Sequence, residues 1–405
     1  MLFALSACHG KTSPPGEAPT SVTATPGDGL VVVSWDTLPD LTYWIFYQPG
    51  STVDVATPNS IAIRRAFSPR VVGPLPNGTQ YAVVMNATHD DSAAGPSSLP
   101  VLATPRLAGA SWVSGTTLGA PPQNLKSLVP GGSRFVAVGD TGTIFASDFS
   151  YTSANPNPEG VTAWTPPTTL PAGFAADLSS VMFNGSFIAM ATNGSIISSA
   201  DGFNWSANVS VPATGMNGLV SGFVSGVTQT FIAVGNAGQI FTTTDLVTWT
   251  QAPSGTTNDL TSISILNGSF FVTGSGGTLL ISQNGTTWSA LPSSTTNTLR
   301  SVTFTPISLN IHYAAVGDAG TIVVSADGVS WTAIAPPQPQ SLRSVAIGGA
   351  TASRFLAVGQ GGAVVYSDDG LNWSIASSAS DLEKVLFFGG MYLAVGGAGA
   401  NAVSR

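Results

Sequence analysis

The stretch Val316-Gly317-Asp318-Ala319-Gly320-Thr321-Ile322-Val323-Val324-Ser325-Ala326-Asp327-Gly328-Val329-Ser330-Trp331 contains a glycine turn, a short apolar run and a second turn that ends in Trp. The same order recurs along the chain. The second turn is repeated as Ser199-Ala200-Asp201-Gly202-Phe203-Asn204-Trp205 and Ser367-Asp368-Asp369-Gly370-Leu371-Asn372-Trp373. Degenerate copies are Thr243-Thr244-Asp245-Leu246-Val247-Thr248-Trp249 and Ser282-Gln283-Asn284-Gly285-Thr286-Thr287-Trp288. The glycine turn returns at Val138-Gly139, Val234-Gly235 and Val358-Gly359, and an apolar strand opening Leu-x-Ser-Val precedes each unit. A period near forty residues with several short strands per unit predicts a β-propeller.

The tryptophans count the units. Trp112, Trp164, Trp205, Trp249, Trp288, Trp331 and Trp373 follow one another at intervals of 39 to 52 residues. The widest interval holds an insertion, Phe149 to Glu159, between Asp148 and Trp164. Trp112 arrives without earlier strands of its own, while residues 382–405 supply early strands and stop at Ser404, where the next Trp turn would begin. The segment around Ser111-Trp112 is therefore expected to complete the last sheet as a Velcro strand, closing a seven-bladed ring and removing its open edges.

Composition agrees with an all-β chain. Only 8% of the 405 residues are charged, whereas 43% are hydrophobic, too apolar a mixture for disorder. The 46 Gly and 28 Pro interrupt it too often for helical bundles. Twelve basic against twenty acidic residues exclude the basic surface that a nucleic acid needs. One Cys and three His leave little for metal or thiol chemistry, and no cofactor is expected.

Residues 18–105 form a separate module. Alternation in Leu30-Val31-Val32-Val33-Ser34-Trp35 and in Tyr81-Ala82-Val83-Val84-Met85 fits a small sandwich. Leu75-Pro76-Asn77-Gly78-Thr79-Gln80-Tyr81 is similar to a tyrosine corner. With Pro19, Trp35, Tyr43 and Gly95-Pro96-Ser97-Ser98, the module resembles a fibronectin type III domain, which implies a spacer. Arg64, Arg65 and Arg70 are read as a solvated strand face. Ahead of it, Leu5-Ser6-Ala7-Cys8 resembles a bacterial lipobox, with 1–17 as signal remnant and tether. That resemblance implies acylation of Cys8 and an extracytoplasmic protein anchored to a bacterial membrane, expected to be monomeric.

The domain over 106–405 raises the question of catalysis. Ser-x-Asp-Gly-x-x-Trp resembles the Asp-box (BNR repeat) of sialidase-type propellers, and the full repeat resembles the propellers of photosystem II assembly factors. A sialidase-like glycoside hydrolase or lyase needs an Arg triad and paired carboxylates. The acidic residues here fall instead in repeat positions, in the two turns or beside the repeated Leu strand, apart from Glu159, Asp368 and Glu383. His312 is the propeller's only His and lacks a partner. No enzyme is expected.

The variable position of Leu-x-Ser-Val is more telling. Its seven occupants are Lys126, Ser179, Asn217, Thr261, Arg300, Arg343 and Glu383. On the innermost strands they should share one ring around the channel, with Arg300, Arg343, Glu383 and Lys126 in consecutive blades. Four charges so placed in a charge-poor chain predict a site for a carboxylate or acidic peptide. Salt bridges between blades, such as Arg343 with Glu383, are the alternative. The assembly-factor resemblance implies binding of a polypeptide through an arginine patch. The expected work is non-catalytic binding of an envelope protein, peptide or glycan; a purely structural or adhesive surface protein is the third reading.

Overall fold

The computed structural model describes residues 13–56, 61–89, 91, 93–148, 164–224, 228–306, 311–348 and 353–404. Cys8 and the insertion after Asp148, including Glu159, lie outside the described residues. Two compact units follow one another, one ending at Leu107 and one starting at Ala108. Every described element is a strand or a single 3-10 turn.

The first unit has two sheets. One joins Thr23–Gly27, Leu30–Ser34 and Arg70–Val72; the other runs Ile61–Ala66, Thr42–Pro49, Tyr81–Thr88 and Val101–Ala103 in spatial order. Alternate residues of both sheets meet in one core, Val31, Val33 and Trp35 against Tyr43, Ile45, Val83 and Met85. In this unit Tyr43 is the tyrosine that reaches back to upstream backbone, its hydroxyl accepting from the Leu38 N–H at 2.8 Å. Tyr81 instead buries its ring beside Tyr47. Arg64 lies over the Trp44 ring and Arg65 pairs with Asp91.

The second unit is a β-propeller. Among the described residues seven sheets follow in chain order, and their innermost strands are Leu125–Gly131, Leu178–Phe183, Met216–Val224, Leu260–Leu266, Leu299–Phe304, Leu342–Gly348 and Leu382–Phe388. Each innermost strand neighbours the next, and the seventh returns to the first. The apolar clusters are drawn from adjacent sheets: Trp205 packs with Val136 and Ile144 of the first sheet, Trp331 with Phe271 and Leu279 of the fourth. Burial of such pairs of faces is what holds sheet to sheet.

Among the described residues the first sheet has three strands, whereas each of the other six has four. Thr165 contributes only a bridge to Ala146 beyond the insertion. The seventh is completed by Val113–Ser114, which pairs with Asn401–Ser404 in the register Ala402 to Ser114 and Val403 to Val113.

The turns explain the repeat. In Ser325-Ala326-Asp327-Gly328, one Asp327 oxygen accepts the Val329 and Ser330 N–H groups at 2.8 and 2.7 Å. Ser325 Oγ accepts from Gly328 N–H at 2.9 Å, Gly328 has φ +78°, and Trp331 Nε1 donates to the Gly328 carbonyl at 3.2 Å.

The same turn is rebuilt from two distant segments where the ring meets itself. Ser404 Oγ accepts from Gly109 N–H at 2.8 Å, and Trp112 Nε1 donates to the Gly109 carbonyl at 3.1 Å. Ala108 takes the place of the Asp. Buried Arg354 holds the junction, donating to the Ala108 carbonyl at 3.0 Å and to both Asp368 oxygens at 2.6 and 2.9 Å.

Candidate functional site

All seven occupants of the variable position line one cavity of about 570 Å³ at the channel mouth. Their placement has a common cause. In every sheet the pairing of the first two strands skips that residue: Ser127 faces Val138 and Leu125 faces Gly139, leaving Lys126 as the extra residue of a β-bulge. The skip recurs at Ser179, Asn217, Thr261, Arg300, Arg343 and Glu383. A bulge bends the strand and re-aims the side chain it carries.

The bulge also accounts for the first glycine of each Val-Gly. That glycine is extended, with φ −167° at Gly317, so left-handed backbone is not the reason for it. A Cβ there would lie 1.9 Å from the Thr298 carbonyl oxygen, and at Gly139 1.8 Å from that of Asn124. The second glycine is the one with positive φ, +71° at Gly142 and +69° at Gly320.

The charged members are not equivalent. Arg300 is clamped within its own sheet, Nε 2.5 Å and Nη2 2.8 Å from the two oxygens of Asp318. Lys126 is paired through its Nζ with one oxygen of Asp140, also in its own sheet. Sequence reasoning took these two aspartates for turn formers and missed their pairing. The sixth sheet carries Gln360 at that turn position, so Arg343 has no carboxylate of its own. Its Nη1 is 4.0 Å from Asp318 and its Nε 3.7 Å from Glu383. The buried Nε makes no hydrogen bond. The Arg343–Glu383 contact foreseen from sequence thus exists as a long ion pair.

Burial pushes the Glu383 carboxyl above its ordinary range, against the pull of Arg343 and Arg300. Burial acts on Asp318 in the same sense, but the Arg300 hydrogen bond and the charges of Arg300 and Arg343 outweigh it and hold that carboxyl low. The neutral members are engaged. Asn217 donates to Asn236 and to the Leu260 carbonyl at 2.8 Å each, Thr261 to the Leu299 carbonyl at 2.6 Å, and Ser179 to the Met190 carbonyl at 3.2 Å.

Other carboxylates have structural partners. Asp177, Asp259 and Asp381 each accept an N–H from the 3-10 turn of the preceding sheet, those of Thr141, Ala237 and Gly361. Asp148 and Asp368 pair with Arg134 and Arg354. His312 lies edge-on to Phe304 just before its strand. Among the described residues no group of three or more His, Cys, Asp or Glu could hold a metal ion.

Solved structures share this fold. The chain is similar to YCF48 from Cyanidioschyzon merolae, with a TM-score of 0.54 and 17% identity, covering 73% of this chain and 98% of that one. It is equally similar to YCF48 bound to D1 peptide, with TM-score 0.54 and 17% identity over 73% of this chain and 94% of that one. No protein-family profile matches the chain, and no curated protein matches it.

Proposed function

We propose that this chain is a non-catalytic binding protein whose propeller takes a carboxylate of a peptide or protein partner at the channel mouth. The observation that carries the reading is Arg343. Its guanidinium lines the shared cavity with no clamping carboxylate in its own sheet, whereas Lys126 and Arg300 are each tied to one. A planar fork held only by long ion pairs, its Nε without a hydrogen bond, suits a carboxylate. A structure of the same fold is that of YCF48 bound to D1 peptide, which supports a peptide as the class of ligand. The engagement of the other carboxylates in turns and ion pairs supports a non-catalytic role, since among the described residues no pair of them is left poised as acid and base.

The rest of the reading comes from sequence. The seven sheets are taken as seven blades closed by Val113–Ser114. The first unit is a fibronectin type III spacer, and Cys8 carries a lipid that holds a monomeric protein on the outer side of a bacterial membrane. Lys126, Arg300 and Glu383 complete the binding ring with Arg343.

Crosslinked capture from the native envelope tests the site. Wild-type protein should capture a defined partner that R343A and R300A/R343A lose, with melting temperatures confirming that both variants fold. Equal capture by all three would refute a role for the ring. For the anchor, the N-terminal peptide should carry a diacylglyceryl mass at Cys8, and C8S should release the protein into the soluble fraction.

A further inference from the structure

The residue after the bulge forms a second series around the channel. Its members are Ser127, Ser180, Gly218, Ser262, Ser301, Ser344 and Lys384. The small ones join sheet to sheet: Ser127 Oγ accepts from Val181 N–H at 3.1 Å, Ser180 Oγ from Leu219 N–H at 3.2 Å, and Ser301 Oγ from Val345 N–H at 3.2 Å. The seventh sheet breaks the series with a long amine. Lys384 lines the channel, which encloses about 630 Å³.

Its charge is also treated differently. Among the described residues of the propeller, Lys126, Arg134, Arg300, Arg343 and Arg354 each have a carboxylate within 4.0 Å. Lys384 has none. The charged groups that line the channel with it are Lys126, Arg300, Arg343 and Glu383, and the single carboxylate among them faces Arg343. An ammonium that loses water and gains no counter-ion is disfavoured against the neutral amine. Burial accordingly lowers the Lys384 pKa from its ordinary value.

We propose that Lys384 is a nucleophilic amine of the channel that captures a small aldehyde as a Schiff base. The Nζ lone pair forms a bond to the carbonyl carbon, and the C=O π pair moves to oxygen. Proton transfer from nitrogen to oxygen gives the neutral carbinolamine. Loss of the second N–H proton with the hydroxyl releases one water and leaves the C=N bond. No oxidant or reductant enters the step, and no part of it depends on the carboxylate-binding reading of Arg343.

The chain makes the test clean, because it has only three lysines, Lys11, Lys126 and Lys384. Full-length protein is treated with formaldehyde and cyanoborohydride between pH 6 and 9, and methylation at each lysine is followed by peptide mass spectrometry. At pH 7, Lys384 should label markedly faster than ion-paired Lys126, because burial without a counter-ion leaves more of its amine unprotonated. The advantage should shrink as pH rises. K384S places in the seventh sheet the residue that five of the other six carry, and it should fold and abolish the fast phase. Labelling of Lys384 no faster than Lys126, its absence in native protein, or a fast phase that survives K384S would each overturn the proposal.

Discussion

Replacing Ser404 by Ala removes one hydroxyl from the turn that closes the ring. That hydroxyl accepts from the buried Gly109 N–H at 2.8 Å and donates to the Ser111 carbonyl. Losing both and leaving a buried donor unmet costs about 2 kcal/mol. For a unit of this size, that lowers Tm by about 4 °C. The comparison variant is S325A, which removes the equivalent bond to Gly328 N–H at 2.9 Å. There, donor and acceptor are three residues apart, and the chain holds them together. In the closing turn they are 295 residues apart, so the segment behind Gly109 can detach. Native-state hydrogen exchange separates the two cases. Gly115 N–H bonds the Asn401 carbonyl at 2.8 Å and Leu118 N–H the Gly399 carbonyl at 2.9 Å. In S404A both amides should exchange up to about thirtyfold faster, the population equivalent of 2 kcal/mol, while in S325A they should keep their protection. Equal exchange at Gly115 and Leu118 in the two variants would refute the idea that this turn latches the ring.

Three further outcomes follow from the geometry. G317A puts a Cβ 1.9 Å from the Thr298 carbonyl at the bulge that carries Arg300, and should lower stability by about 3 kcal/mol in urea titration; a loss below about 0.5 kcal/mol would mean that the bulge yields freely. The Asp245 and Asp369 carboxyls are held down to about 2, Asp245 chiefly by backbone N–H bonds and Asp369 by such bonds acting against burial. Their native pKa lies below the unfolded value near 3.9, so their stabilisation is complete above about pH 4 and lost as pH falls towards 2. Urea midpoints should decline across that window, and D245N/D369N should flatten the decline while keeping the turns, as Asn284 does in its own copy. D318N removes the clamp on Arg300 and the nearest carboxylate but one to Arg343. It should tighten binding of a fluorescent acidic peptide several-fold in anisotropy titrations; unchanged or weaker binding would argue that Asp318 orients the cations rather than competing for them.

The repeat made the ring legible and hid its electrostatics. Because Leu-x-Ser-Val recurs in phase, Lys126, Arg300, Arg343 and Glu383 could be assigned to equivalent places, and all four line one cavity. The bulge that turns them inward could not be read, since it is a relation between two strands. It left only an indirect trace in the Gly that follows Val, required by the approach of a carbonyl. Asp140 and Asp318 read as turn residues because they sit beside the turn glycines. The usable signal was their co-occurrence within a repeat: Lys126 goes with Asp140 and Arg300 with Asp318, but Arg343 goes with Gln360. Similarly, Ala108-Gly109 carries no Asp and does not announce itself as a turn of the repeat, although Ser404 supplies its missing hydroxyl. Lys384, one residue beyond the variable position, stands out only against the small residues that fill its place in the other sheets. In a repeat protein the informative residues are those that break a position shared by every other unit. Arg343 breaks the pairing rule of its sheet and Lys384 the small-residue rule of its series. They stand in neighbouring sheets on the same channel, so an occupant of that channel would meet the two departures together.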